Sequence, residues 1–409
     1  MKYSLFVVRD SWDKVSPKSK LVVEICKENP NLDVFYLIRN DEKRFLEKRT
    51  NNKIEMATST SGILFYYFLS IFKSPRDLYE RVSRRFFKRK LPYSLVTIGF
   101  ISVLSKTLNH FFAASARSGR IIQFLKKINS RRVFVIDEFT SIRTLDLKLL
   151  SEMGPVIYVS QDVASENFDF NNNLLSKSLM IKLEREILGM ADLVIACSER
   201  DQFRYLDLGA KAAIFYPNVY PIKEFEPDTK DKEPSICIAF QSRWGEKSIH
   251  DFYTVFEALS KVKMKLKVYV TGVKPEHVPE NIKIEYYEYI ASKSDYMRIL
   301  SKSWVGINIG IHRGGSNERK YDYAMAGLVV FSDTLGCRGD LLPHEYTFLD
   351  GNDLAAKIEQ LFTKLDEEKI MDMGVENRKY TLLFAEKQRD ALSKSIRALL
   401  SENSTQKIE

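Results

Sequence analysis

The chain has 409 residues, 44% hydrophobic and 29% charged, a balance that excludes a wholly disordered or fibrous protein. A single core stops growing at about 250 to 300 residues, so this length predicts two domains. Its four cysteines, Cys26, Cys197, Cys237 and Cys337, are scattered without CxxC or Cys/His spacing, which excludes a disulfide framework and a zinc site and implies a reducing compartment.

The N-terminus, MKYSLFVVRDSWDK, enters a strand with no apolar leader behind it, which predicts a cytoplasmic protein. Strands are expected at 3–8 and 33–38 around a helix at 17–28. Residues 62–132 carry fifteen basic side chains against two acids, Asp77 and Glu80. This segment alone exceeds the net charge of +9, and its interleaved aromatics, among them Phe65, Tyr66, Phe86 and Phe87, suit anionic headgroups. A solvated helix face with core aromatics is the competing reading, and no nucleic-acid motif is present. The apolar runs 62–72 and 93–114 are too short or too interrupted to span a bilayer.

Beyond it, a strand at 133–136 ends in Asp137 and Glu138, and helix 145–153 leads to a strand at 155–159. Helix 176–190, strand 192–196 and helix 199–208, stopped by Gly209, follow. Residues 221–234 are charged and proline-punctuated, as a linker is. The alternation restarts at 235–240. Helix 248–259, strands 266–270 and 282–286, helix 294–301 and strand 305–309 lead to ERKYDYAMAGLVVFSD, residues 318–333. This run reads as a helix carrying a carboxylate, a glycine stop and a buried strand. Helices 353–365 and 384–401 and a polar tail, 403–409, complete the chain. Apolar strands alternating with helices predict parallel sheets covered on both faces. The expected organisation is a domain over 1–220, a linker over 221–234, a second domain over 235–380 and a C-terminal helix over 381–402 that packs back toward the first.

The order helix, carboxylate, glycine and strand suits a nucleotide. Asp322 can accept from two neighbouring ribose hydroxyls, and the loop Arg313-Gly314-Gly315-Ser316-Asn317 can bring backbone N–H groups to a diphosphate. The run resembles the donor-binding element of GT-B glycosyltransferases of the family 4 kind, in which an acid five positions before a glycine holds the donor ribose. The family's E(x)7E pattern places its first acid at Gly314, where backbone would take over the contact. The resemblance extends to Glu184–Ser198, EREILGMADLVIACS, and to Tyr216-Pro217-Asn218 with Phe225 and Pro227.

What the resemblance implies is a GT-B α/β fold, two Rossmann-like parallel-sheet domains facing each other across a cleft, with the donor on the C-terminal half. It implies a retaining transfer of a sugar from a UDP-sugar or GDP-sugar to an acceptor hydroxyl, with no further cofactor and no metal. Fixed cations can stabilise a departing diphosphate, and Arg243 and Lys247 in QSRWGEKSIHDF resemble the family's pair. Arg319 resembles a basic residue that reaches the phosphates. Tyr289, Ile290 and the neighbouring Tyr287 stand where the family lines the nucleobase. Gln161 replaces a histidine that touches the donor sugar, and Asp162 beside it can orient or deprotonate an acceptor, as can Asp137 or Glu138. His312 precedes the glycine loop and can reach the donor. The basic aromatic segment makes a lipid-linked or membrane-proximal glycan a reasonable acceptor, with peripheral attachment to an inner membrane face. Two alternatives stand beside this reading: a sugar-nucleotide epimerase on the same fold, and a binding protein that kept the fold and lost catalysis, motivated by Gly314 and Gln161.

Overall fold

In the computed structural model of the protein, the described residues are 3–8, 17–28, 32–37, 125, 130–137, 147–161, 163–166, 174–217, 225–227, 232–240, 246–288, 290, 292–310, 318–338 and 341–402. The chain divides into two compact units. Met1–Ala196, Gln202–Ile214 and Ser393–Glu409 form the first, and Cys197–Asp201 with Phe215–Leu392 the second. The basic segment 62–124, with its expected membrane contact and both apolar runs, lies outside the described residues. Among the described residues no helix is long and apolar enough to cross a membrane.

The first unit is built on strands β1 (Tyr3–Val8), β2 (Leu32–Leu37), β3 (Arg131–Asp137), β4 (Val156–Val159), β5 (Leu193–Ala196) and β6 (Ala213–Phe215, whose last residue falls in the second unit). They form one sheet in the order β2-β1-β3-β4-β5-β6. Helix α1 (Pro17–Lys27) opens on a proline, whose missing N–H costs nothing at a first helical position. Helices α2 (Leu147–Met153), α3 (Leu174–Met190) and α4 (Glu199–Asp207) follow. Ile187, Leu188, Tyr205 and Leu208 from α3 and the α4 region pack on Phe134, Tyr158 and Val194 of the sheet.

The second unit repeats the plan. Strands β7 (Glu233–Phe240), β8 (Leu266–Gly272), β9 (Ile282–Tyr287), β10 (Ser303–Asn308), β11 (Val329–Asp333) and β12 (Glu345–Phe348) lie in the order β12-β11-β10-β7-β8-β9, and their pairings are parallel. Counted from β7, this is the 3-2-1-4-5-6 order of a dinucleotide-binding fold. Helices α5 (Glu246–Ser260) and α9 (Gly351–Lys364) cover one face through Phe252, Phe256, Ile358 and Leu361. Helices α6 (Lys293–Ser301) and α7 (Glu318–Met325) cover the other through Met297, Leu300, Tyr323 and Ala324. Alternate residues of β7 therefore enter different cores, Ile236, Ile238 and Phe240 in one and Cys237 and Ala239 in the other. A strand buried on both faces reads as a continuous apolar run.

Three differences from expectation stand out. The short helix α8 (Thr334–Cys337) and the edge strands β6 and β12 were not anticipated. The helix expected at 384–401 is the second half of α10 (Glu367–Glu402), one helix of 36 residues. Its residues through Leu392 belong to the second unit and those from Ser393 to the first, where Arg397 pairs with Glu28 at 2.6 Å and the Leu400 carbonyl accepts from the Tyr3 hydroxyl at 3.3 Å. Part of the expected linker is packed: Phe225 is buried with α6 and α7, and its carbonyl accepts from Arg378 at 2.7 Å.

Candidate functional site

In an open parallel sheet, ligands bind beyond the carboxyl ends of the strands where the strand order reverses. In the second unit that place lies between β7 and β10. Helix α7 is anchored there. The Arg319 guanidinium donates to the carbonyls of Ala239 at 3.1 Å and Ile309 at 2.6 Å, so it joins the ends of the two strands that flank the reversal. The Tyr323 hydroxyl accepts from the Ala239 N–H at 2.7 Å, and its ring lies so near Gly306 that a Cβ there would fall 2.4 Å from it. Arg319 was expected at the phosphates; its terminal nitrogens instead hold backbone, fixing the wall of the crevice.

The expected glycine stop is a Schellman motif. Leu328 N–H bonds to the Tyr323 carbonyl and Gly327 N–H to that of Ala324, with Gly327 at φ 74°. The turn is held from outside. Gly327 O accepts from Lys232, whose burial lowers its pKa to about 8. Asn377 of α10 donates to Leu328 O at 2.9 Å and His344 O at 3.1 Å and accepts from His344 N–H at 2.8 Å. Gly374 lets α10 reach Gly327 O, where a Cβ would stand 1.9 Å from that oxygen.

Lys320 through Met325 of helix α7 are all buried. Its polar groups are matched inside. Lys320 pairs with Glu345 at 3.1 Å, the two side chains 1% and 0% exposed, and also donates to Cys337 O at 2.9 Å. Asp322 meets Lys293 in the first turn of α6, the ammonium lying 2.7 Å from each carboxylate oxygen. The Tyr296 ring, one turn further along α6, has its centroid 4.9 Å from the ammonium. Burial pushes the Asp322 carboxyl up to about 6, and the Lys293 charge and hydrogen bonds from Lys293 and Tyr296 work against that rise. The geometry follows from connectivity. In a parallel sheet every crossover helix starts at the carboxyl edge, so the N-terminal turns of α6 and α7 come together there.

Sequence reasoning missed Lys293 and Tyr296. One signal existed: Ser292 caps α6 by accepting from Asp295 N–H at 3.3 Å, which puts Lys293 in a first turn, the wrong end of a helix dipole for a cation.

Other expected residues fall as follows. Gly314, Gly315, Ser316, His312, Tyr289, Arg243, Asp162 and Glu138 lie outside the described residues. Lys247 is in the first turn of α5. Ile290 is half-buried between β9 and α6. Tyr287, expected near a base, and its neighbour Tyr286 have partners in the protein: Tyr286 donates to Gly272 O at 2.9 Å, and Tyr287 stacks on Tyr269 at 6.3 Å and bonds to Glu285. In the first unit Gln161 follows β4, half-buried. The preceding residue, Ser160, bonds to the Tyr205 hydroxyl, and its carbonyl accepts from buried Lys18 at 3.1 Å. Asp137, expected to face a cleft, is fully buried at the carboxyl end of β3.

No family model and no curated protein matches the chain. Solved structures do match along nearly its whole length. Sucrose-phosphate synthase from Thermosynechococcus elongatus has 10% identity and a TM-score of 0.61, over 98% of this chain and 100% of that one. An α,α-trehalose-phosphate synthase (UDP-forming) from Burkholderia vietnamiensis has 10% identity and a TM-score of 0.60, over 97% and 100%. Anabaena HepE, determined in complex with UDP and glucose, has 11% identity and a TM-score of 0.59, over 97% and 100%. At these identities the likeness establishes the fold: the chain has the two-domain GT-B type of α/β architecture.

Proposed function

We propose that this chain is a retaining, metal-independent glycosyltransferase that moves a sugar from a nucleoside-diphosphate donor to an acceptor hydroxyl. The observation that carries the reading is a buried carboxylate, Asp322, at the carboxyl edge of a sheet in dinucleotide-binding order, beside the reversal between β7 and β10. Such an acid can accept both hydroxyls of a ribose. Gly314, Gly315 and Ser316 precede α7 and present backbone N–H groups to the diphosphate. Arg243 and Lys247 follow β7 and neutralise the leaving group, while Tyr289 and Ile290 border the base. With the leaving phosphate accepting the acceptor's proton, Gln161 needs only to hydrogen-bond the sugar and Asp162 to orient the acceptor. A UDP-sugar is the first donor to test, given the nucleotide in the Anabaena structure, and a GDP-sugar the second. The basic, aromatic stretch 62–132 supports a lipid-linked or membrane-proximal acceptor, met from the cytoplasmic side.

The test is a thermal-shift screen with UDP, GDP and their sugars, followed by assay of donor hydrolysis and transfer. A ligand at about 100 times its Kd adds about 2.7 kcal/mol. Asp322→Ala is expected to abolish the shift; an undiminished shift in that variant removes the site from α7. Glycine at 314 and glutamine at 161 favour one second reading, a sugar-nucleotide-binding protein without turnover. Binding with neither hydrolysis nor transfer would select it.

A further inference from the structure

We propose that Lys293 is a positioning residue of the donor site, holding the Asp322 carboxylate ionised and oriented so that its remaining lone pairs face the ribose hydroxyls. The inference rests on the donor reading of Asp322. An ionised carboxylate offers about four acceptor directions. Lys293 takes one on each oxygen, at 2.7 Å each, a symmetric clamp that fixes the carboxylate plane; a vicinal diol then takes the one remaining direction together with the one that the Tyr296 hydroxyl gives up.

Three observations separate this pair from an ordinary ion pair. The placement of Lys293 opposes its own helix, since a first-turn cation faces the positive end of the dipole; what favours it is the partner. The pair also opens outward: the Lys293 side chain is 40% exposed and that of Asp322 12%. The other charged groups in the body of α7 are committed to the interior, Lys320 to Glu345 and Arg319 to two strand carbonyls. Third, the site demands a counter-ion. The charged and titratable groups that act on Asp322 are Lys293 and Tyr296 from α6 and Glu318 from its own helix, with Tyr323 next to it in the chain. Glu318 raises the Asp322 pKa, and burial raises it most. Without Lys293 the acid takes up a proton nearer to neutrality, and a protonated carboxyl loses acceptor capacity toward a diol.

The experiment measures affinity for UDP-glucose and GDP-mannose by calorimetry from about pH 5 to about pH 9, a range in which neither diphosphate diester titrates. Wild type, Lys293→Met, Lys293→Arg and Asp322→Asn are compared, with the Asp322 carboxyl followed by carbon-13 NMR in the ligand-free proteins. Wild-type affinity is expected to fall as pH drops through about 6. In Lys293→Met the midpoint and the carboxyl titration both move up by about one pH unit or more, which weakens binding about tenfold between the two midpoints. Lys293→Arg restores both, and Asp322→Asn binds weakly with a flat profile. Wild-type binding with superimposable profiles for wild type and Lys293→Met overturns the role of Lys293 alone. Failure of wild type to bind either nucleotide sugar overturns the donor reading and the inference with it.

Discussion

Exchanging Asp322 for asparagine should stabilise the ligand-free protein at neutral pH, although it removes an ion pair. The carboxyl moves from an ordinary 3.8 to about 6 in the folded chain because burial outweighs the help from Lys293 and Tyr296. An acid whose folded pKa is raised binds a proton in the native state that the unfolded chain has already released. Between about 4 and 6, therefore, rising pH favours unfolding, and the full penalty is present above 6. A rise of about two pH units corresponds to about 3 kcal/mol. Lys293 is exposed enough to find water or the new amide oxygen once the charge is gone, so little is lost in return. The asparagine variant should thus gain up to about 3 kcal/mol at pH 8, each kcal/mol being worth about 2–4 °C in Tm for a domain of this size, with the gain vanishing near pH 4. Paired urea titrations across this range measure it. A variant less stable than wild type at pH 8, or a difference that does not change with pH, would refute the reasoning.

Three further substitutions probe the frame around that acid. Gly327→Ala forces a side chain into φ 74° and should cost about 1 kcal/mol, read as a lower Tm with nucleotide binding retained. Gly374→Ala places a Cβ 1.9 Å from the Gly327 carbonyl; overpacking of about 1–3 kcal/mol is expected, and unchanged stability would mean that α10 does not touch this turn. Lys320→Met strands Glu345 in the interior and should cost about 3–5 kcal/mol, whereas adding Glu345→Leu should recover much of it, as a double-mutant cycle by urea unfolding reports.

Much of the second unit was legible because its strands are buried on both faces and spell continuous apolar runs, as CIAF in β7 and WVGIN in β10 do. Gly327 announced its turn, since few other residues sit at positive φ. What escaped had weaker signals. The edge strand β12 is EYTF, and three of its four residues are only half-buried, so no apolar run marks it. The front half of α10 escaped because part of its buried face is not apolar: Gly374, Asn377 and Thr381 stand at helical spacing, and Asn377 and Thr381 are fully buried. Pattern reading treats such residues as exposed, whereas Asn377 is spent on three backbone bonds around the motif turn. Asp322 was found from its spacing to Gly327. Its partner Lys293 was not, because 29 residues separate the two and only the approach of α6 to α7 brings them together.

The contrast within α7 explains why recognition would concentrate at one residue. A largely buried helix can keep charged groups only when each is satisfied, and α7 satisfies them in two different ways. Lys320 and Arg319 are matched by groups that cannot leave, a buried glutamate and the carbonyls at two strand ends. Breaking either contact strands a charge, so these residues hold the wall of the crevice at a fixed shape. Asp322 is matched by a flexible side chain with an exposed head, whose ammonium can yield part of its share of the carboxylate to an incoming hydroxyl without leaving either group unsolvated. Rigid walls around a single exchangeable pair are the arrangement that a hydroxyl-recognising site requires. On the donor reading, the stability given up at Asp322 is recovered when a ribose completes its hydrogen bonds.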